Sequence, residues 1–160
     1  MRLPGEIIQG ILARSALLLL RVYLGVVFLL ASIPKLQRHA APEFTAFLEQ
    51  VALQRGHSFY QEFVERAVLP NAQVWAAVVT WGELVVGVTL ILGLVTRFSA
   101  ALALLLALSY MFAKGAWFWT PWSNDAAYVA IALALMIGAA GRTLGLDALL
   151  ARRWPRSPFW

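Results

Sequence analysis

Apolar residues in this chain gather into four long blocks, 15–33, 72–94, 98–113 and 124–140. They do not recur at the spacing of a half-buried helix or strand. A predominantly apolar run of roughly 18 residues or more is long enough to cross a bilayer as a helix. At 1.5 Å per residue the first block is about 28 Å long, enough to span. The third and fourth blocks are shorter, and tilted ends with snorkelling charges cover the shortfall. Residues 35–71 differ in kind, mixing charges with Phe, Leu and Val. Phe44, Phe47, Leu48 and Val51 fall on one helical face, and Phe59, Phe63, Val64 and Ala67 on another. Neither stretch is apolar enough to span, so about 42–69 reads as two amphipathic helices that lie in the interface or cap the bundle. Gly56 breaks the pair and Pro70 stops it. The pattern therefore predicts an all-α integral membrane protein: a four-transmembrane-helix bundle with two amphipathic helices between spans 1 and 2, one domain over residues 1–160.

Composition agrees with lipid as the solvent. Hydrophobic residues make up 61% of the chain and charged ones 13%, against about a quarter charged in soluble domains. Residues 1–14 form a short basic leader before LLLL. Arg21 inside the following stretch and Pro34–Lys35 after it fit a retained first helix better than a cleaved signal. There is no cysteine, which excludes disulfide exchange, thiolate catalysis, thiolate-ligated clusters and cysteine zinc sites. His39 and His57 are too few for a metal or bis-histidine haem site, and solvated or interfacial roles are expected of both. The net charge of +5 reflects the cytoplasmic excess of Lys and Arg in membrane proteins. No basic run is interleaved with base-stacking aromatics, so nucleic acid is not an expected partner. Four spans leave both termini on one side, with Arg2, Arg14, Arg97, Arg142, Arg152, Arg153 and Arg156. The other side carries Lys35, Arg38, Arg55, Arg66 and Lys114. The bias places both termini in the cytoplasm, and the basic, aromatic tail ALLARRWPRSPFW suits an anionic membrane surface.

Two charges interrupt the apolar blocks: Arg21 in the first and Glu83 in the second. Charge within hydrocarbon costs several kcal/mol, so such residues face the protein interior and pair. With helix one starting near Ser15 and helix two ending near Gly93, Arg21 and Glu83 lie about 9 and 15 Å from the same end, an offset of about 6 Å. They are expected to meet, either as a buried clasp or with Glu83 as a proton acceptor whose pKa Arg21 holds down. A second group gathers at the outer end: Lys35, Lys114, Asn124 and Asp125 beside Trp117, Trp119 and Trp122. This group also fits an aromatic belt with snorkelling lysines and an Asn–Asp helix cap. Arg97, Arg142 and Asp147 lie at the inner ends, where an Arg–Asp clasp would tie the tail to the bundle and Asp147 would begin a short terminal helix. Gly25, Gly82, Gly87 and Gly93 read as close-packing or turn positions. No phosphate loop, nucleophile elbow or metal cluster is present.

Three stretches together carry a family look: LLLLRVYLGVVFLLASIPKLQ (17–37), WGELVVGVTLILGLVTRFSA (81–100), and SNDAAY (123–128) followed by GRTLGLDALLARR (141–153). In order and spacing they resemble the DoxX family of small four-helix membrane proteins. The family includes membrane subunits of quinone-reducing enzymes, such as the small subunit of thiosulfate:quinone oxidoreductase. Other members assemble with secreted redox enzymes, and animal relatives act as chaperones for membrane proteins. The resemblance implies a multi-pass protein of the bacterial inner membrane and a protein partner in a redox or assembly complex. The expected role is an accessory or quinone-interacting subunit of a membrane oxidoreductase, at most non-catalytic or quinone-binding itself. A non-enzymatic assembly factor, chaperone or scaffold is the alternative. No covalent cofactor and no metal is expected, and a membrane quinone is the cofactor the resemblance brings in. Its head group needs hydrogen-bond donors and flat walls, which Lys35, Lys114, Trp117, Asn124 and Asp125 supply. Glu83 with Arg21 is the candidate for proton chemistry.

Overall fold

A computed structural model describes residues 4–37, 40–138, 140–142 and 145–153. The described residues are helical almost throughout, with no strand among them. The first helix, α1, runs Pro4–Gln37, longer than the expected 15–33 at both ends. Pro4 sits where proline is well tolerated, at the start of a helix, and nothing in GEIIQGILAR breaks the turns that follow. Residues 4–14 of the leader are thus part of the helix.

The segment after α1 is a helical hairpin. Its first arm is α2 (Ala40–Phe47), a π-helical stretch Leu48–Ala52 and the single turn α3 (Leu53–Arg55). The second arm is α4 (Ser58–Phe63), a π-helical stretch Val64–Val68 and a 3-10 turn Leu69–Asn71. Gly56 makes the corner, as the sequence suggests. A Cβ there would stand 3.2 Å from the Ala113 carbonyl oxygen, and one at Gly115 would run into the Arg55 carbonyl. Two glycines thus let the corner sit directly on the end of the neighbouring span. Pro70 does not stop the second arm. It lies at the head of the 3-10 turn and leads straight into α5 (Ala72–Leu92), so Ser58–Leu92 is one apolar rod of 35 residues. The Trp75 indole N–H donates to the Ala67 carbonyl across the junction at 3.1 Å. The hairpin buries Leu48, Ala52, Val64 and Val68 against Ala113, with Phe44, Phe47, Tyr60 and Trp75 packed beside them. The first expected face largely matches this. The second is rotated, leaving Phe59 and Phe63 exposed and putting Tyr60 and Val68 inward. A π turn closes i→i+5 bonds and so holds more residues per turn, which keeps positions four apart in line.

Two more spans complete the bundle, α6 (Thr96–Ala113) and α7 (Asp125–Ile137). A short terminal helix, α8 (Leu146–Arg153), follows a 3-10 turn at Ala140–Arg142. The beginning of α8 next to Asp147 is as expected, while residues 154–160 of the basic tail and His39 lie outside the described residues. Three helices, within Ile8–Gln37, Ser58–Leu92 and Thr96–Ala113, are long and apolar enough to cross a membrane. Only 28–39% of each apolar window is buried inside the protein, so most of that surface faces outward, as lipid contact requires. The fourth, α7, has 13 residues, about 20 Å, and is shorter than the expected 124–140. Gly138 ends it, where a Cβ would stand 2.7 Å from Leu17 Cδ1. The core lies where α1, α5, α6 and α7 meet, around Leu24, Phe28, Val86, Leu90, Ala103 and Leu135.

Candidate functional site

Register between α1 and α5 decides which charges meet. A Cβ at Gly87 would lie 2.7 Å from the Leu29 nitrogen, and one at Gly25 would lie 3.0 Å from the Ile91 nitrogen. The two backbones therefore touch at these glycines, as small residues allow between membrane helices. The helices are antiparallel, with Gly87 facing Leu29 and Gly25 facing Ile91. Glu83, four residues before Gly87, thus faces the last turn of α1. There it finds Lys35, whose Nζ stands 2.5 Å from both carboxylate oxygens. The Tyr110 hydroxyl of α6 donates to Glu83 Oε1 at 2.6 Å and accepts from Lys35 Nζ at 3.0 Å. Glu83 is 1% exposed, so this pair is taken out of solvent on the carboxylate side.

Arg21 does not meet Glu83. It lies twelve residues earlier on α1 than the level of Glu83, about 18 Å along the axis. The expected offset of about 6 Å assumed that α1 begins near Ser15; because α1 begins at Pro4, Arg21 is level with the end of α5. A Cβ at Gly93 would stand 2.5 Å from Arg21 Nη1. The guanidinium donates to the Ala140 carbonyl at 2.9 Å, in the 3-10 turn that follows α7. Asp147 supplies the opposing charge. Its carboxylate also accepts the Val95 and Thr96 backbone N–H groups at 2.6 and 2.8 Å, and its own N–H donates to the Gly93 carbonyl at 2.9 Å. Val95 is the residue before α6 and sits in the left-handed region at φ 44°, with no local side chain capping the helix. Asp147 therefore caps α6 from across the fold. Among the described residues, the expected Arg–Asp clasp of the tail is made with Arg21. The Arg142 side chain lies outside the described residues, and Arg97 Nε has no hydrogen-bond partner.

At the opposite end of the bundle, Lys114 Nζ donates to both oxygens of Asp125 at 3.0 and 2.9 Å. Ser123 Oγ donates to Asp125 Oδ2 at 2.7 Å, which holds that carboxylate at the start of α7. Tyr110 lies between the two ion pairs, with Lys35 Nζ 5.4 Å and Lys114 Nζ 5.7 Å from its ring centroid. Both pairs open onto one cavity of about 250 Å³, whose other walls include Val27, Phe28, Ala31 and Phe47. Of the residues singled out from the sequence, Glu83, Lys35, Lys114 and Asp125 are brought together here. Trp117 is not in this cavity. It packs on His57 with ring centroids 4.3 Å apart and stacks on Trp119, while His57 Nε2 pairs with the Ala116 carbonyl at 3.0 Å. Asn124 is exposed and makes no side-chain cap; its side chain interacts with the Tyr128 hydroxyl. Tyr110 was missed by the sequence reading. It lies one turn before Lys114 on the same face of α6, a position that spacing alone could have marked.

The site is a chamber lined by two lysines, two carboxylates and two tyrosines, Tyr110 and Tyr128, among apolar walls. Such a chamber can hold a neutral molecule by hydrogen bonds and can store or pass protons. Among the described residues no group of His, Asp and Glu is arranged to hold a metal ion. Comparison with curated proteins gives no significant match, and neither does comparison with solved structures. A family model, DoxX, matches residues 16–122. The match contains Arg21, Lys35, Glu83, Tyr110 and Lys114, and ends before Asp125 and Asp147. With two thirds of its length matched, the chain belongs to the DoxX family.

Proposed function

We propose that this protein is a quinone-interacting accessory subunit of a membrane oxidoreductase complex, in the bacterial inner membrane with both termini in the cytoplasm. One observation carries the reading. An ammonium group has three N–H donors, and Lys114 directs its hydrogen bonds at Asp125 alone. One donor is left without an acceptor among the described residues, beside an apolar-walled cavity of about 250 Å³. A quinone carbonyl is an acceptor of the matching kind. Lys114 would hold one carbonyl oxygen, with Phe28 and Phe47 as apolar walls; Lys35 and Tyr110 already direct their donors at Glu83 and at each other. When bound, a quinone supplies two-electron, two-proton carriage between a redox partner and the bilayer. Glu83 and Asp125 stand where protons would be held, and Tyr110 links Glu83 to the chamber.

A second reading, an assembly factor or scaffold, is favoured by one feature: Lys35 and Glu83 already satisfy each other at 2.5 Å, as a purely structural clasp would. Purification in mild detergent followed by extraction and mass spectrometry separates the two. The subunit reading expects ubiquinone or menaquinone near one per chain, falling at least fivefold in Lys114→Gln at a temperature where that variant is still folded. Quinone-free protein holding a stoichiometric membrane client overturns it in favour of the scaffold.

A further inference from the structure

Three cavities meet at the Phe47 and Tyr110 rings, which stand edge to face with centroids 6.3 Å apart. One is the charged chamber. Another, of about 220 Å³, is a cleft between α5 and α6 roofed by the helical hairpin. Its walls are Leu48, Trp75, Val79, Leu102 and Leu106 beside the shared rings. The polar groups on it are already occupied: the Tyr60 hydroxyl interacts with Ser109, and the Trp75 N–H bonds to Ala67. Val78 and Leu105 also line the cleft, at 55% and 62% exposure, on the outward faces of spanning helices. Its mouth therefore opens to hydrocarbon.

An apolar cleft in contact with lipid gains nothing from the hydrophobic effect, because lipid chains are as apolar as its walls. Left empty, however, it forfeits the dispersion contacts of every lining atom. A chain drawn from the bilayer must fill it. We infer that the cleft holds the isoprenoid tail of the molecule whose head occupies the charged chamber, admitted sideways between α5 and α6. The two spaces lie side by side with Phe47 and Tyr110 lining both: Tyr110 turns its hydroxyl to Glu83 and its ring to Phe47. The inference rests on the quinone reading for the head and adds the tail position and the route.

The probes are one dimethoxy-methyl-benzoquinone head with a ten-carbon tail and the same head without it. Binding is measured in phosphatidylcholine nanodiscs and expressed per membrane concentration. Wild type should bind the tailed probe at least tenfold more tightly. Val79→Phe, which fills the cleft, should erase that preference and leave the tailless probe within twofold of wild type. Leu105→Trp, at the exposed mouth where folding is least disturbed, should slow binding of the tailed probe alone. Equal binding of both probes by wild type, or equal loss of both in Val79→Phe, overturns the tail assignment and leaves the head site standing. If wild type binds neither, the head reading fails and the inference with it. One phospholipid per chain, lost in Val79→Phe, would assign the cleft to an acyl chain instead and overturn it.

Discussion

Lys35 Nζ lies 2.5 Å from both carboxylate oxygens of Glu83, across 48 residues of sequence. The two are joined because Gly25 and Gly87 let α1 and α5 touch backbone to backbone. Lys35→Met should destabilise the protein by about 3 kcal/mol, since it strands a buried carboxylate. The charge swap Lys35→Glu with Glu83→Lys should recover much of the loss, whereas Arg21→Glu with Glu83→Arg should recover none. Unfolding midpoints in mixed micelles read all three variants, and rescue by the Arg21 swap would contradict the register.

The two glycines of α5 should behave oppositely. Gly87→Ala places a Cβ 2.7 Å from the Leu29 nitrogen, and backbone cannot yield as a side-chain tip can. It should cost about 1–3 kcal/mol as overpacking and loosen the Lys35–Glu83 contact. Gly82→Ala meets nothing nearer than Leu106 Cδ1 at 3.9 Å, so it should be neutral or stabilising by up to about 1 kcal/mol through helix propensity. The same unfolding assay ranks the pair.

Asp147 combines the cap of α6 with the counter-charge of Arg21. Asp147→Ala should cost about 3–5 kcal/mol, because it leaves a buried guanidinium without its counter-charge and two backbone N–H groups without their acceptor. Val95→Gly should offset part of that loss, since glycine adopts φ 44° without the penalty a β-branched residue carries. Hydrogen exchange at Val95 and Thr96 should speed up in Asp147→Ala before any global change.

Tyr110→Phe removes one hydroxyl that donates to Glu83 and accepts from Lys35. The expected cost is about 1–2 kcal/mol, a hydrogen bond to a charged group. On the proposed function, quinone retained through purification should fall as well. Stability loss with retention unchanged would confine Tyr110 to a structural part.

Much of the architecture was legible because lipid leaves few choices: an apolar block must be a helix, and a charge inside it must turn inward. That reasoning found α5 and α6 closely, the hairpin with its corner at Gly56, and the inward-facing Glu83. It fails at α1, whose helix extends beyond the apolar block, and at Pro70, which sits in the first turn of a 3-10 segment where its fixed φ and missing N–H are tolerated. In the second arm Val64 faces inward as expected while Phe59 and Phe63 do not, and nothing in VERAV announces the π turn that brings Val68 inward.

The sequence by itself determined that two charges lie within the apolar blocks, and that Lys35, Lys114 and Asp125 gather near one end. Which charge meets which was decided only by tertiary structure. Partner choice depends on the vertical register of antiparallel helices, and that register is set by backbone contact at Gly25 and Gly87, outside any local pattern. A shift of three turns along α1 separates a Glu83–Arg21 pair from the Glu83–Lys35 pair observed. Burial then fixes the outcome, because an ion in hydrocarbon takes the counter-charge that packing brings level with it, leaving Arg21 to Asp147.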